Sequence, residues 1–260
     1  MDAASSRLVF ITGASSGIGQ ALAERYAQAG WRLALVVRRS DVLAAWAQAQ
    51  GLAVHQAGIY RADVADVDSI VAAGEACIAA QGLPDVVIAC AGISLGMDSA
   101  ERKDLDVLRE VLATNNVGLA ATFQPFVRPM RQRGSGRLVG IASVAAIRGL
   151  PGHAAYCTSK AGVVAYCESL RLELRGSGVQ VVTLLPGYIA TPLTARNPYR
   201  MPFLMSAAAF AERAFAAIEL GASYRVIPWQ MGVVAKLLRL LPNPLFDHLL
   251  ARRGRKPRRS

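Results

Sequence analysis

Tyr156 and Lys160 stand four residues apart in the run Y-C-T-S-K. On a helix, residues at i and i+4 share a face. A free phenol titrates near pH ~10, too high to shuttle protons at neutral pH. A neighbouring ammonium favours the phenolate and brings the pKa toward the working range. Ser143, upstream of this pair, follows an apolar run over 137–142, so its hydroxyl emerges where that run ends. A Tyr-x-x-x-Lys spacing arises often by chance, and its meaning depends on what surrounds it.

Residues 12–19 read T-G-A-S-S-G-I-G, directly after one apolar run and at the head of a helical stretch. Gly13 permits a tight turn, Gly17 lets backbone approach a diphosphate, and Gly19 lets the helix pack closely on a sheet. The helix N-terminus then offers unpaired N–H groups and a partial positive charge to an anion. A lone glycine pattern is weak, but this strand-to-helix setting points to dinucleotide binding. The second apolar run ends in Arg38 and Arg39, with no acid before Asp41. An acid there would accept hydrogen bonds from the ribose hydroxyls of NAD. Arg38 and Arg39 can instead pair with a 2′-phosphate and stack on adenine, and Ser40 can add a donor. The expected cofactor is NADP(H); a solvated pair of surface arginines is the plainer alternative.

These groups need a scaffold, and the periodicity supplies one. Short apolar runs at 7–12, 31–37, 85–89, 137–142, 179–185 and 224–227 read as strands buried on both faces. A weaker run lies at 57–62. Helical stretches fall between them at 17–29, 41–50, 67–80, 102–113, 115–132, 156–175 and 207–219. The alternation implies right-handed βαβ units and one doubly wound Rossmann domain over 1–228. Its mostly parallel sheet of about seven strands carries helices on both faces. Ser143 then sits at the C-terminal edge of a strand, where ligands bind in open α/β sheets.

Taken together, the motifs and their order resemble the short-chain dehydrogenase/reductase family, single-domain type, over about residues 7–228. T-G-A-S-S-G-I-G is similar to that family's cofactor loop, which assigns Gly13, Ser15, Ser16, Gly17, Ile18 and Gly19 to cofactor binding. Y-C-T-S-K is similar to its active-site signature. The resemblance implies hydride transfer between a nicotinamide and a carbonyl or secondary alcohol. Tyr156 would be the proton donor in reduction, and Ser143 would hold the same substrate oxygen. Lys160 would lower the Tyr156 pKa and hold the nicotinamide ribose, and Asn115, in T-N-N-V-G, would hold a proton-relay water. Asp63 and Val64 match the pair after the third strand, whose acid reaches the adenine. Pro186, Gly187, Ile189 and Thr191 match the segment along the nicotinamide. One departure stands out. Cys90, Ala91 and Gly92 occupy the place of the family's N-A-G, so an amide is replaced by a thiol; Ala91 and Gly92 keep the close backbone approach. A thiol there could react with thiol reagents, although a buried neutral thiol is commonly inert.

Substrate class is less sharply drawn. Residues 188–210, rich in Tyr, Leu, Met and Phe, read as an apolar lid over a hydrophobic substrate resembling a lipid, a steroid or a long-chain ketone. Packing onto the domain or a second subunit is the competing reading. Alternatives in chemistry are a 3-oxoacyl thioester or small-carbonyl reductase, and a non-catalytic NADP(H) sensor. The filled Ser143, Asn115, Tyr156 and Lys160 positions argue against the sensor. Helices 115–132 and 156–175, with small residues Ala161, Gly162 and Ala165, are where the family pairs into a homodimer or homotetramer.

Composition bounds the rest. With 53% hydrophobic and 18% charged residues in 260, the chain has a core and is not disordered. Its net charge of +11 is uneven: residues 225–260 hold nine Lys/Arg and one acid, which leaves +3 on 1–224. No stacking-sheet or helix-turn-helix signature accompanies that charge, so nucleic acid is not the expected partner. Residues 229–253 read as an amphipathic helical extension broken at Pro242 and Pro244, followed by a basic disordered tail over 254–260. Packed on or near the domain, that combination suits contact with an anionic membrane surface; a helix pair that caps the pocket or forms a dimer seam, with a solvated tail, is the alternative. Four scattered cysteines show no metal-ligand spacing, so no metal is expected and a reduced interior is. Without a basic-then-apolar leader or a spanning run, the expected location is cytoplasmic, peripheral at the membrane if the extension binds lipid.

Overall fold

Short strands buried on both faces must each be followed by a helix that returns the chain to the same edge. The computed structural model of the chain describes residues 7–38, 43, 46, 56–195, 197, 199–251 and 254–258. Its strands are β1 (Leu8–Thr12), β2 (Arg32–Val37), β3 (Ala57–Arg61), β4 (Val86–Ala89), β5 (Gly136–Ile141), β6 (Val179–Pro186), β7 (Ile189–Ala190), β8 (Met205–Ser206) and β9 (Tyr224–Ile227). Seven form one sheet in the order β3-β2-β1-β4-β5-β6-β9, with every neighbouring pair parallel. β7 and β8 pair separately. The expected Rossmann-like α/β architecture is therefore present, and the weak run at 57–62 is an edge strand.

The helices are α1 (Gly17–Gln28), α2 (Val67–Gln81), α3 (Asp104–Leu112), α4 (Gly118–Arg133), α5 (Ala154–Glu173), α6 (Ala207–Glu219), α7 (Trp229–Leu240) and α8 (Asn243–Leu250). Strand side chains alternate between two cores. Phe10, Val36, Val87 and Leu138 pack with Ile70 of α2, Phe123 and Phe126 of α4 and Val163 of α5. Val9, Ile11, Leu35, Ile88 and Val139 pack with Leu22 and Tyr26 of α1 and Phe210 and Ile218 of α6. Helices on both faces explain why the strands read as continuous apolar runs. The helix expected over 41–50 lies outside the described residues, apart from Leu43 and Trp46.

Three local differences from the sequence expectations bear on function. The helices expected at 102–113 and 115–132 are joined by a π-helical turn, Ala113–Val117, which carries Asn115. Such wide turns cluster at functional sites. The expected apolar lid is divided: Phe210 and Ile189 belong to the core, while Phe203 and Leu204 are exposed. Gly162 faces Asn116 of the same chain, since a Cβ there would lie 2.6 Å from the Asn116 Nδ2.

The C-terminal charge also behaves differently from the solvated, disordered tail that the composition suggests. Residues 254–258 lie against the body, where Arg258 grips Asp104 with Nε and Nη2 at 2.8 and 3.1 Å. Arg255 sits 3.5 Å from Asp98, and Arg258 lies 3.8 Å from Glu101. The physical reason is local charge pairing: Asp98, Glu101 and Asp104 of the body face Arg255 and Arg258 of the extension.

One residue tests how tightly this interior is specified. Tyr26 is buried with its ring edge-on to Trp31 and Phe215, centroids 4.8 and 4.9 Å away. Its hydroxyl has no hydrogen-bond partner among the described residues. Tyr26→Phe keeps the ring contacts and removes a buried unpaired polar group, whose desolvation costs about 1 kcal/mol or more. Urea unfolding should show unchanged or higher stability; a marked loss would mean that the hydroxyl is satisfied.

Candidate active site and cofactor cradle

The cradle begins where β1 turns into α1. Gly13 (φ +70°) and Gly17 (φ +57°) adopt backbone conformations that side chains disfavour. A Cβ on Gly13 would lie 2.8 Å from the Ala91 Cα, and one on Gly19 would overlap the Gly13 carbonyl oxygen. Thr12 fixes the neighbouring segment. Its buried hydroxyl oxygen accepts from the backbone N–H groups of Cys90 and Ala91 at 3.1 and 3.2 Å. At the head of α1, Ser16 makes no side-chain capping bond and the first turn holds no acid. Ser15 and Ser16 are exposed, whereas Ile18 packs against the core. An uncapped helix start behind a loop with no room for side chains fits a diphosphate.

The other expected cofactor residues surround this loop. Thr191 lies across it, 3.2 Å from where a Gly17 Cβ would stand. The Gly187 N–H donates to Ile227 O at 2.8 Å, directly after Pro186 closes β6. Asp63 follows β3 and accepts from the Ala65 N–H at 3.0 Å, beside buried Val64. Arg38 ends β2 with an exposed side chain, 4.0 Å from Asp63. Arg39 and Ser40 lie outside the described residues.

Ser143 and Tyr156 meet on the wall of a cavity of about 120 Å³. Ser143 follows β5, and its hydroxyl oxygen accepts from the Ala145 N–H at 3.2 Å. Tyr156, in the first turn of α5, is pushed up to about 12 by burial, and a hydrogen bond with Ser143 opposes that rise. This differs from the expectation that Lys160 brings the phenol down. The Lys160 ammonium is aimed at the end of β5, donating to Ile141 O at 2.8 Å, and sits 5.8 Å from the Tyr156 ring centroid. Burial lowers Lys160 itself to about 8. In this arrangement desolvation outweighs charge, and Tyr156 is a neutral phenol throughout the physiological range.

Asn115 spends its side-chain amide on the chain itself. Its Nδ2 donates to Ile93 O and Ser159 Oγ, both at 2.9 Å, and its Oδ1 accepts from the Ile93 N–H at 2.8 Å. The amide thus ties the turn after β4 to α5. Gly92 is the hub of this contact: a Cβ there would lie 3.2 Å from Asn115 Oδ1 and 3.5 Å from Lys160 Nζ. Burial pushes the Cys90 thiol up to about 12, so it is protonated and a poor nucleophile. The geometry therefore favours the inert thiol over the reactive one.

The cavity also recruits groups that the motifs do not mark. His153 Nδ1 lies 2.9 Å from Pro151 O and its Nε2 lies 3.0 Å from Tyr199 Oη. The first contact requires Nδ1–H to donate, so Nε2 accepts from the Tyr199 hydroxyl. Met231, Val234, Leu238 and Phe246 from α7 and α8 form apolar wall, with Ile147, Leu150 and Leu193. Arg148 caps the end of α7 through the carbonyls of Leu238 and Leu241 and stacks on Phe246 at 3.7 Å. The amphipathic pattern of 229–253 allowed for a helix pair capping the pocket, but it did not say which body residues that pair would meet. Among the described residues, no cluster of His, Cys, Asp or Glu could hold a metal ion.

Comparison with known proteins agrees with this geometry. A family profile described as short chain dehydrogenase matches residues 7–200. An uncharacterized oxidoreductase of Myxococcus xanthus is 40% identical over 246 residues, covering 94% of this chain and 96% of that protein. A 2-dehydro-3-deoxy-L-rhamnonate dehydrogenase (NAD(+)) of a Sphingomonas strain is 35% identical, covering 74% of this chain and 76% of its own. In fold, a short chain dehydrogenase of Burkholderia cenocepacia in complex with NADP superposes with a TM-score of 0.80 at 22% identity, covering 95% of this chain and 98% of that one. The chain belongs to the short-chain dehydrogenase family, oxidoreductases that act on alcohol and carbonyl groups.

Proposed function

We propose that the protein is an NADP(H)-dependent oxidoreductase that interconverts a carbonyl and a secondary alcohol on a mainly apolar substrate. The observation that carries this reading is the cavity itself, whose apolar walls converge on the hydroxyls of Ser143 and Tyr156. A nicotinamide bound in the cradle would supply or accept the hydride. Every other requirement falls on the chain's own groups. Ser143, its oxygen accepting from the Ala145 N–H, can swing its hydrogen from the Tyr156 oxygen toward a substrate oxygen. Tyr156 carries its proton at neutral pH and can deliver it to the developing alkoxide. The phenolate left behind faces the Lys160 ammonium across 5.8 Å to the ring centroid, a favourable charge in a dry setting. Asn115 acts through position, holding Gly92, Ile93 and Ser159 in register. The apolar walls favour a lipid-like or long-chain ketone over a thioester's large polar carrier.

Tyr156→Phe should keep cofactor binding and abolish turnover, and near-parental activity would overturn the assignment. Lys160 also sets a pH limit. Below pH about 8 it is an ammonium, and above that value it loses the charge that receives the phenolate. Reductive kcat/KM should therefore be level to about pH 8 and then fall by about tenfold per pH unit.

The NADP(H) preference rests on Arg38, an exposed guanidinium at the end of β2. Arg38→Ser should lower kcat/KM with NADPH by about tenfold or more while leaving NADH nearly unchanged. A parental preference for NADH would overturn this choice.

Membrane contact belongs to the same reading, with a shifted basis. Arg255 and Arg258 are engaged by acids of the body, so the tail's charge is partly spent. α7 instead exposes Trp229, Val233, Leu237 and Leu240 at helical spacing, and α8 exposes Leu245 and Leu249. Lys236 and Arg239 accompany this stripe, suiting an anionic interface. Among the described residues, no helix is long and apolar enough to cross a membrane. The full chain should co-sediment with anionic liposomes and Leu237→Glu/Leu240→Glu should not; equal recovery of both with the vesicles, or of neither, would remove the idea.

A further inference from the structure

The strap formed by residues 254–258 does more than neutralise surface acids. It runs between two segments that frame the candidate site. On one side, Gly96 and Arg258 form a parallel bridge, and a Cβ on Gly96 would overlap the carbonyl oxygen of Pro257. On the other, a Cβ on Gly152 would lie 3.0 Å from the Lys256 backbone nitrogen. Gly152 stands just ahead of α5 and Tyr156, and Gly96 follows the turn held by Asn115. The bidentate Arg258–Asp104 pair, with Asp104 buried, anchors the end of the strap.

This path carries one side chain inward. Lys256 lines the same cavity as Ser143 and Tyr156, and its ammonium donates to Ser94 Oγ at 2.7 Å. That partner is a neutral hydroxyl. The described lining residues include no Asp or Glu, and no ion pair of Lys256 occurs among the described residues. The cavity's other full cation, Arg148, is committed to carbonyls at the end of α7, to Asn243 Oδ1 at 3.0 Å and to the Phe246 ring. Burial holds Lys256 below the usual lysine range, the cost of keeping its charge among apolar walls. An ammonium in such a place gains most from a charge-assisted hydrogen bond to an anion.

We propose that Lys256 is a specificity-determining residue that recognises an anionic group, a carboxylate above all, on an otherwise apolar substrate whose carbonyl is held at Ser143 and Tyr156. The substrate class is then an oxo or hydroxy acid with a hydrocarbon body. The inference rests on the reading of this cavity as the substrate site, and it narrows the neutral ketone of that reading to an acid. Arg258 serves it at one remove, as the latch that holds Lys256 in the wall.

Binding separates this proposal from catalysis. Calorimetric titration of the full-length protein with octanoate and with n-octanol should show octanoate bound at least about tenfold more tightly. Lys256→Met should remove that difference while leaving n-octanol binding unchanged, and Lys256→Arg should restore most of it. Arg258→Ala, which releases the latch, should weaken octanoate and spare n-octanol. Equal binding of the two probes by the parent, or an octanoate preference that survives Lys256→Met, would overturn the proposal. Turnover of a neutral octanone, measured alongside, reports on the catalytic reading alone. Its reduction without an octanoate preference would sink only the Lys256 assignment; its absence with a Lys256-dependent preference would sink only the ketone chemistry.

Discussion

No side chain fits between the Gly13 carbonyl and the start of α1, and much of the site follows from that exclusion. With hydrogen at Gly19, the helix can begin directly under the loop, and Ser16 leaves its first turn without a side-chain cap. With hydrogen at Gly13, the loop can rest on Ala91, so the ends of β1 and β4 close into one floor. Thr12 secures the same floor from within by accepting two backbone N–H groups. A parallel sheet places all its strand C-termini on one edge, but only this intimacy turns the edge into a cradle. Asn115 repeats the principle one strand over, spending its amide on the Ile93 backbone and on Ser159.

The chemistry then depends on burial more than on charge. Tyr156 and Lys160 are driven in opposite directions by the same cause, since desolvation raises a phenol and lowers an ammonium. Each is kept in its neutral form more readily than it would be in water. The Ile141 carbonyl fixes where the cation sits, so its influence on the ring is one of position. The departure at Cys90 is tolerated for a related reason. The backbone N–H groups of Cys90 and Ala91 are satisfied by Thr12, which does not depend on the side chain at position 90.

What could be read from the sequence was whatever depends on local pattern. Strands such as β1 and β6 are short apolar runs, and glycine spacing at 13, 17 and 19 encodes a turn geometry directly. Ser143, Tyr156 and Lys160 were legible because their spacing on one helix and one strand end is local too. Long-range partners were not. Nothing in the one-dimensional pattern joins Arg258 to Asp104, which lie 154 positions apart, or Lys256 to Ser94. The basic end was visible, but a charge sum does not say which acids of the body it meets. The wide turn at Asn115 escaped as well, because a π-helical turn carries no distinctive periodicity over five residues. The apolar segment after Pro186 misled in part, since core-filling Phe210 and Ile189 resemble pocket-lining residues in composition.

The strap that crosses between Gly96 and Gly152 has a consequence for biosynthesis. Residues 254–258 leave the ribosome after every other described residue, and the walls supplied by α7 and α8 come only shortly before them. The glycine cradle and both cores of the sheet can assemble while the chain is still being made. The candidate cavity cannot, because α7, α8 and the inward Lys256 all follow the last strand of the sheet in the chain. A nascent chain would therefore pass through an interval in which the glycine cradle is complete while the cavity beside Ser143 and Tyr156 still lacks its outer wall.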